Sequence, residues 1–200
     1  HAIELRKTKC ARALIEARIN LDAQDEHGKT PLFVSIKTNN KEIFKLLIAR
    51  GASLENIAKN KWTLLHAASC LNDYEYAEIL LQKNVNLLYK ETVDGETAFW
   101  FAVHNNNFDT LLCLLLNGRT FSIANDFNCK EFLDLLNKLI GKDENTVLHN
   151  AAMSIDNDNV AMVQLLLAYG ANRWRRNALL QTAKDVAFTK ALKEAIEFFK

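Results

Sequence analysis

The chain has 200 residues, 49% of them apolar and 24% charged, with 25 basic and 24 acidic side chains and a formal net charge of +1. That balance excludes a disordered tail and gives no whole-molecule field that would make nucleic acid or anionic lipid the default partner. One proline and six glycines exclude collagen-like and Pro/Gly low-complexity chains and favour helix throughout.

The chain opens on His1 rather than Met and shows no secretory signal, as expected for a piece of a longer protein. Leu14-Ile15-Glu16-Ala17-Arg18 reads as a helix, with a hairpin over Ile19 to Ala23. Its partner helix is missing or lies in the poorly patterned Ala2 to Thr8. Pro31 to Thr38 is a second helix; proline suits a first turn, where its missing N–H costs nothing. Lys41 to Arg50 places Ile43, Phe44, Leu46, Leu47 and Ile48 on a wide apolar stripe, and Gly51 stops it in the left-handed conformation. Asn84 and Gly118 are expected to stop the corresponding helices of the next two units. Runs such as Phe99 to Val103 and Leu111 to Leu116 are too short to span a bilayer.

A repeat organises these elements. Thr30-Pro-Leu-Phe33 returns as Thr63-Leu-Leu-His66 and again as Thr97-Ala-Phe-Trp100, a period of about 33 residues. Thr146-Val-Leu-His149 arrives about half a period late, and Thr182-Ala-Lys-Asp185 follows roughly one period after it. Gly51, Asn84 and Gly118 keep one fixed offset from their threonines. Gly170 stands slightly further from Thr146, which places a three-residue insertion within Ser154 to Asn159. The larger insertion, ahead of Thr146, accounts for the late tetrad. There Cys129, Phe132, Leu133, Leu136, Leu139 and Ile140 fall at helical spacing. Asn128 with Glu131 reads as a capping box and Gly141 as the stop. The apolar stripe of this insert is buried either on its own array or by a partner.

This pattern resembles the ankyrin repeat. The residues that carry the resemblance are Asp25-x-x-Gly28-x-Thr30-Pro31-Leu32, Leu46-Leu47-x-x-x-Gly51-Ala52 and Thr63-Leu-Leu-His66-Ala67-Ala68. Thr146-Val-Leu-His149-x-Ala151-Ala152 and Leu165-Leu166-Leu167-Ala-x-Gly170-Ala171-Asn172 match as well. The resemblance implies one all-α solenoid of helix–turn–helix units: a truncated first repeat over 1–24, repeats over 25–57, 58–91 and 92–125, a helical insert over 126–141, a repeat over 142–176 and a capping repeat over 177–200. The array is expected to continue upstream. The cap is expected to turn Lys193, Glu194 and Glu197 outward.

His66 and His149 read as structural, bonding neighbouring loops; Phe33 and Trp100 occupy the same tetrad position elsewhere, which argues against a repeated metal site. Cys70 and His66 stand four apart on one helix, but no residue orients the imidazole and no oxyanion hole is visible. Four cysteines without zinc-finger spacing read as free thiols in a reducing compartment. No catalytic residue, cofactor or metal is expected, and an enzyme is not.

The resemblance implies binding through hairpin tips and the inner face of the first helices. In this register those positions include Glu26, His27, Lys29 and Lys37, then Lys59, Trp62 and Leu71. The following unit offers Asp94, Glu96 and His104. Arg173, Trp174, Arg175 and Arg176 form a finger at the next-to-last hairpin. Tryptophan and arginine are enriched at binding hot spots, although each indole could instead fold over a neighbouring repeat. The Arg/Trp cluster could also touch phosphates, but one tetrapeptide on a nearly neutral chain is slight support. The expected partner is therefore another protein, with no nucleic acid and no membrane insertion, and the chain is expected to be a monomer.

The implied function is protein recognition in an intracellular, cytoplasmic setting. Degenerate repeats, the insert and 21 asparagines resemble ankyrin-containing effectors of intracellular bacteria, which would make the partner a host protein in host cytosol. Two alternatives stand beside it: docking of a catalytic domain of the same polypeptide, and asparagine hydroxylation at hairpin positions Asn86 or Asn172.

Overall fold

The computed structural model describes residues 2–4, 7–17, 19–124, 129–154 and 159–199. Five threonines start its helix pairs. Thr30, Thr63, Thr97, Thr146 and Thr182 are each extended, and each Oγ1 accepts the N–H three residues on, at 3.3 to 3.4 Å. A short hydroxyl in that position satisfies a donor that the first helical turn leaves orphaned. The helices so started are α2 (Pro31–Lys37), α4 (Leu64–Ser69), α6 (Ala98–His104), α9 (Val147–Ala152) and α11 (Ala183–Val186). Each stacks on the next to form the inner layer.

The second helices form the outer layer: α1 (Thr8–Glu16), α3 (Lys41–Ala49), α5 (Glu75–Lys83), α7 (Phe108–Ala124), α10 (Asn159–Ala168) and α12 (Lys190–Glu197). Between the layers lie fully buried Leu32, Ile36, Leu47, Leu65, Phe99, Leu111, Leu148, Leu166 and Leu192. No single unit encloses this surface, so neighbours supply each other's core. Phe44 and Tyr76 meet edge to face at 4.9 Å, and the Tyr76 hydroxyl donates to Asn39 Oδ1 at 2.9 Å. Among the described residues before α1 there is no helix.

The first helix, α1, starts at Thr8, well ahead of the Leu14 to Arg18 stretch read as helical, and ends at Glu16. Three of the expected helix stops also differ from the sequence reading. Gly51 and Gly170 do take positive φ, 81° and 97°. Asn84 does not: its backbone is extended, and its side chain accepts the Asn86 N–H to start a 3-10 segment, Val85–Tyr89. Gly118 stops nothing, because α7 runs through it to Ala124. A Cβ there would stand 2.7 Å from the Phe132 ring and 2.8 Å from Leu88. Its lack of a side chain serves close packing, not chain reversal. The insert helix, α8 (Cys129–Leu136), ends well before Ile140, and Gly141 instead turns a small hairpin closed by Ile140 and Asn145.

The insert packs on its own array, but of the expected stripe Leu133 stays exposed and Leu139 is half-buried. Phe132, Leu135 and Leu136 are buried, α8 packs on α7, and Phe132 meets Phe99 edge-on at 6.1 Å. Past its end, Asn137 bonds the Gly170 carbonyl and the Asn172 N–H, and Lys138 pairs with Glu91. Asn128 of the expected capping box, and part of the expected three-residue insertion, lie outside the described residues. The terminal unit turns Lys193, Glu194 and Glu197 to solvent, but it also exposes Leu179, Leu180, Phe188 and Phe198.

Candidate functional site

The hairpins that precede the inner helices stand side by side. The Lys59 N–H donates to the His27 carbonyl at 3.1 Å, Val93 to Asn60 at 3.0 Å and Ala178 to Asp143 at 2.9 Å. Each tip is braced internally. Asp25 Oδ1 accepts from the N–H of His27 and of Lys29 at 2.8 Å, and these backbone bonds lower its pKa. Asn177 does the same for Leu179 and Gln181.

Between the first two of these tips and the helices α2 and α4 lies a groove of about 530 Å³. Phe33, Ala58 and Ala67 are its buried floor, half-buried Trp62 and Leu71 its walls, and His27, Lys29, Lys37 and Lys59 its rim. Six sequence-predicted positions thus meet in one place: His27, Lys29, Lys37, Lys59, Trp62 and Leu71. Trp62 folds toward the next unit, its ring 4.6 Å from Phe101 and 6.3 Å from His66. One part of the indole is therefore core and the rest is groove wall. The aromatic surface continues on α6, where Trp100 stacks on exposed His104 at 4.6 Å and 10°.

The other predicted residues lie apart from this groove. Glu26 is exposed beside His27, and Asp94 is exposed on the next tip. Glu96 is engaged in its hairpin, accepting the Thr92 hydroxyl at 3.2 Å. At the far end, Arg173 Nη1 donates to the carbonyls of Ile196, Glu197 and Phe199 at 3.0, 3.1 and 3.4 Å. This guanidinium caps the C-terminus of α12, a role the sequence reading missed. Arg176 donates to the Leu180 carbonyl at 2.7 Å, leaving Arg175 and Trp174 exposed, with Trp174 at 73%. Asn86 and Asn172 are both exposed, and Asn172 Oδ1 accepts the Trp174 N–H.

His66 is wholly buried. Its Nδ1 accepts the Thr63 N–H at 3.1 Å, which leaves Nε2–H to donate to the Lys90 carbonyl at 3.1 Å. His149 repeats this with Thr146 and Gln181, at 3.2 and 2.9 Å. Burial lowers the pKa of both, that of His66 to about 4, so both are neutral at pH 7. Burial raises the Cys70 thiol to about 11. With both imidazole nitrogens committed and the thiol protonated, this pair has neither base nor nucleophile. Among the described residues no three His, Cys, Asp or Glu side chains are placed to hold a metal, and no helix is long and apolar enough to cross a membrane.

Family models for ankyrin repeats match residues 1–58 and 50–125 (three copies) and residues 143–178 (a single repeat). The chain belongs to the ankyrin-repeat family. Its ankyrin fold is shared with the crystal structure of EF0377, an ankyrin repeat protein, at a TM-score of 0.81 and 23% identity over 100% of this chain and 96% of that one. Among curated relatives, the fowlpox virus ankyrin repeat protein FPV034 is 29% identical over 62% of this chain and 29% of its own length. The Drosophila melanogaster transient-receptor-potential-like protein is 30% identical over 59% of this chain and 11% of its own. The Caenorhabditis elegans homolog of transient receptor potential cation channel subfamily A member 1 is 25% identical over 91% and 16%. The chain thus spans less than a third of each. Ankyrin arrays are in general scaffolds for protein–protein interaction, not enzymes.

Proposed function

We propose that this array is a non-enzymatic recognition module that binds another protein through the Trp62 groove and the adjoining hairpin tips, in an intracellular setting. The observation that supports it most is the groove itself: six positions chosen by register line one concavity, apolar below and charged above. Helices stacked through a shared core hold that surface rigid, so binding costs it little conformational entropy. A partner covering the groove and the Trp100 surface would bury about 800 Å² on each side. Cys10, Cys70 and Cys113 are free thiols, which suits a reducing compartment; host cytosol is the corresponding place for a secreted effector.

The test is a comparative capture from eukaryotic cytosolic lysate, with the unaltered chain beside a Trp62→Ala variant and, separately, a Trp174→Ala/Arg175→Ala variant of the far end, all matched for melting temperature. A protein retained by the unaltered chain and lost with Trp62→Ala alone is the one that counts for the groove and supports the reading. Identical captures refute the proposed surface. A second reading, docking within one longer polypeptide, draws support from the small share of each relative that the array matches. In that case a longer chain would protect the Trp62 hairpin from amide exchange and leave lysate capture empty.

A further inference from the structure

We propose that the occupant of the Trp62 groove is an extended peptide segment with one large apolar side chain flanked by acidic residues. The inference rests on the recognition function proposed above and gives its partner a chemistry. Its first support is how charge is arranged around the groove. Lys29 and Lys59 come from two hairpins and Lys37 from the last turn of α2. Among the described residues these three ammonium groups form no ion pair. The outer layer of the same two units differs: Lys41 lies 2.7 Å from both Asp73 and Glu75, and Lys45 pairs with Glu75. No carboxylate lines the groove. Of the acids nearby, Asp25 is bonded to the N–H groups of its own hairpin and lies in the field of Lys29, Glu26 is exposed at the tip beside His27, and Glu96 accepts from Thr92.

The second support is the position of charge relative to apolar surface. The cations are at the rim, while Phe33, Trp62 and Leu71 lie below them. A bare anion would leave the apolar surface of Phe33, Ala67 and Leu71 unfilled, and a purely apolar ligand would leave like charges facing each other. The three cations stand on three separate elements around the rim. A peptide meets them with several carboxylates, while one side chain fills the apolar space. Lysine suits this, being a point charge on a flexible stem rather than a fixed fork for one planar anion.

The experiment pans a phage-displayed dodecapeptide library on the chain and titrates a synthetic copy of the strongest peptide. The expected peptides carry a Leu, Phe or Trp between two or more Asp or Glu. Their affinity should fall about tenfold in Lys37→Glu/Lys59→Glu and should weaken between about 50 and about 300 mM NaCl. Trp62→Ala should also weaken binding, but it disturbs the contact with Phe101. The charge reversal touches no packed group and carries the decision if the tryptophan variant unfolds. Recovered peptides without acids, recovery of no peptide, or affinity indifferent to the charge reversal would overturn the inference. Peptides that bind but ignore both groove variants would leave the recognition function standing on another surface. Tighter binding of an oligothymidylate of matched charge would overturn it in favour of single-stranded nucleic acid.

Discussion

Two residues before each capping threonine the backbone is left-handed: Gly28, Lys61, Gly95, Glu144 and Leu180 have φ between 51° and 77°. Two are glycine and three are not. A side chain there costs about 1–2 kcal/mol, whereas glycine loses about 0.5–1 kcal/mol more backbone entropy on folding. Glu144→Gly should therefore stabilise the chain by about 0.5–1 kcal/mol in urea unfolding; a loss of stability would show that position 144 is unstrained. His66 gives the opposite kind of prediction. Its pKa is lowered from 6.5 to about 4 in the folded state, so the unfolded chain takes up the proton first. Its contribution is complete above pH 6.5 and is lost as pH falls through 6.5 toward 4. Between about pH 7.5 and pH 5, stability should drop by about 2 kcal/mol from His66, with His149 adding in the same direction. That window lies above the range in which Glu75, lowered to about 2 by Lys41 and Lys45, would contribute. Urea titrations at the two pH values check it, and an imidazole that titrates normally by NMR would refute it.

At the scale of the element, α12 depends on a residue outside it. Arg173 binds its last two carbonyls, Ile196 and Glu197, and that of Phe199 just beyond it; a helix end otherwise leaves such carbonyls without partners. Hydrogen bonds to a charged group contribute about 1.5–3 kcal/mol when shielded, and less at this half-exposed site. Arg173→Ala should cost about 1–2 kcal/mol and speed amide exchange selectively in the last turn of α12. Unchanged exchange there would return Arg173 to the binding surface. Sequence showed what is local: the threonine caps, Pro31 at a first turn, the apolar stripe of α3 and the glycine stop at Gly51. It failed where distant contacts decide. Gly118 looks like a stop, and only Phe132 and Leu88 pressing on it explain an uninterrupted α7. Register brought six groove residues together because each sits at a fixed offset from a capped helix. Nothing local distinguishes Arg173 from Arg175, because the carbonyls it meets belong to the far end of a later helix.

At the scale of the molecule the array is one-dimensional, each unit being stable through its neighbours, and the insert sits at its joint. Inner helices α6 and α9 pack directly across that joint. The outer layer is bridged by the insert segment, with α8 on α7, Asn137 on the loop after α10, and Lys138 on Glu91. A second bridge is Arg119, 5.6 Å over the Tyr169 ring. Phe132 is central, buried against Phe99 and above Gly118. Phe132→Ala should cost about 3–5 kcal/mol, but its sharper consequence is for cooperativity. Losing the ring loosens the seat of α8 on α7, and with it the bridge that Asn137 makes to the loop after α10, while the inner helices of each half stay stacked. Nearest-neighbour coupling then predicts that one unfolding transition separates into two. Amide exchange across a urea series reads each half independently: peptides from 30–115 and from 146–196 should open together in the unaltered chain and at different urea concentrations in the variant. If both halves of the variant still open together, α6 against α9 carries the coupling and the insert is an ornament on the outer layer.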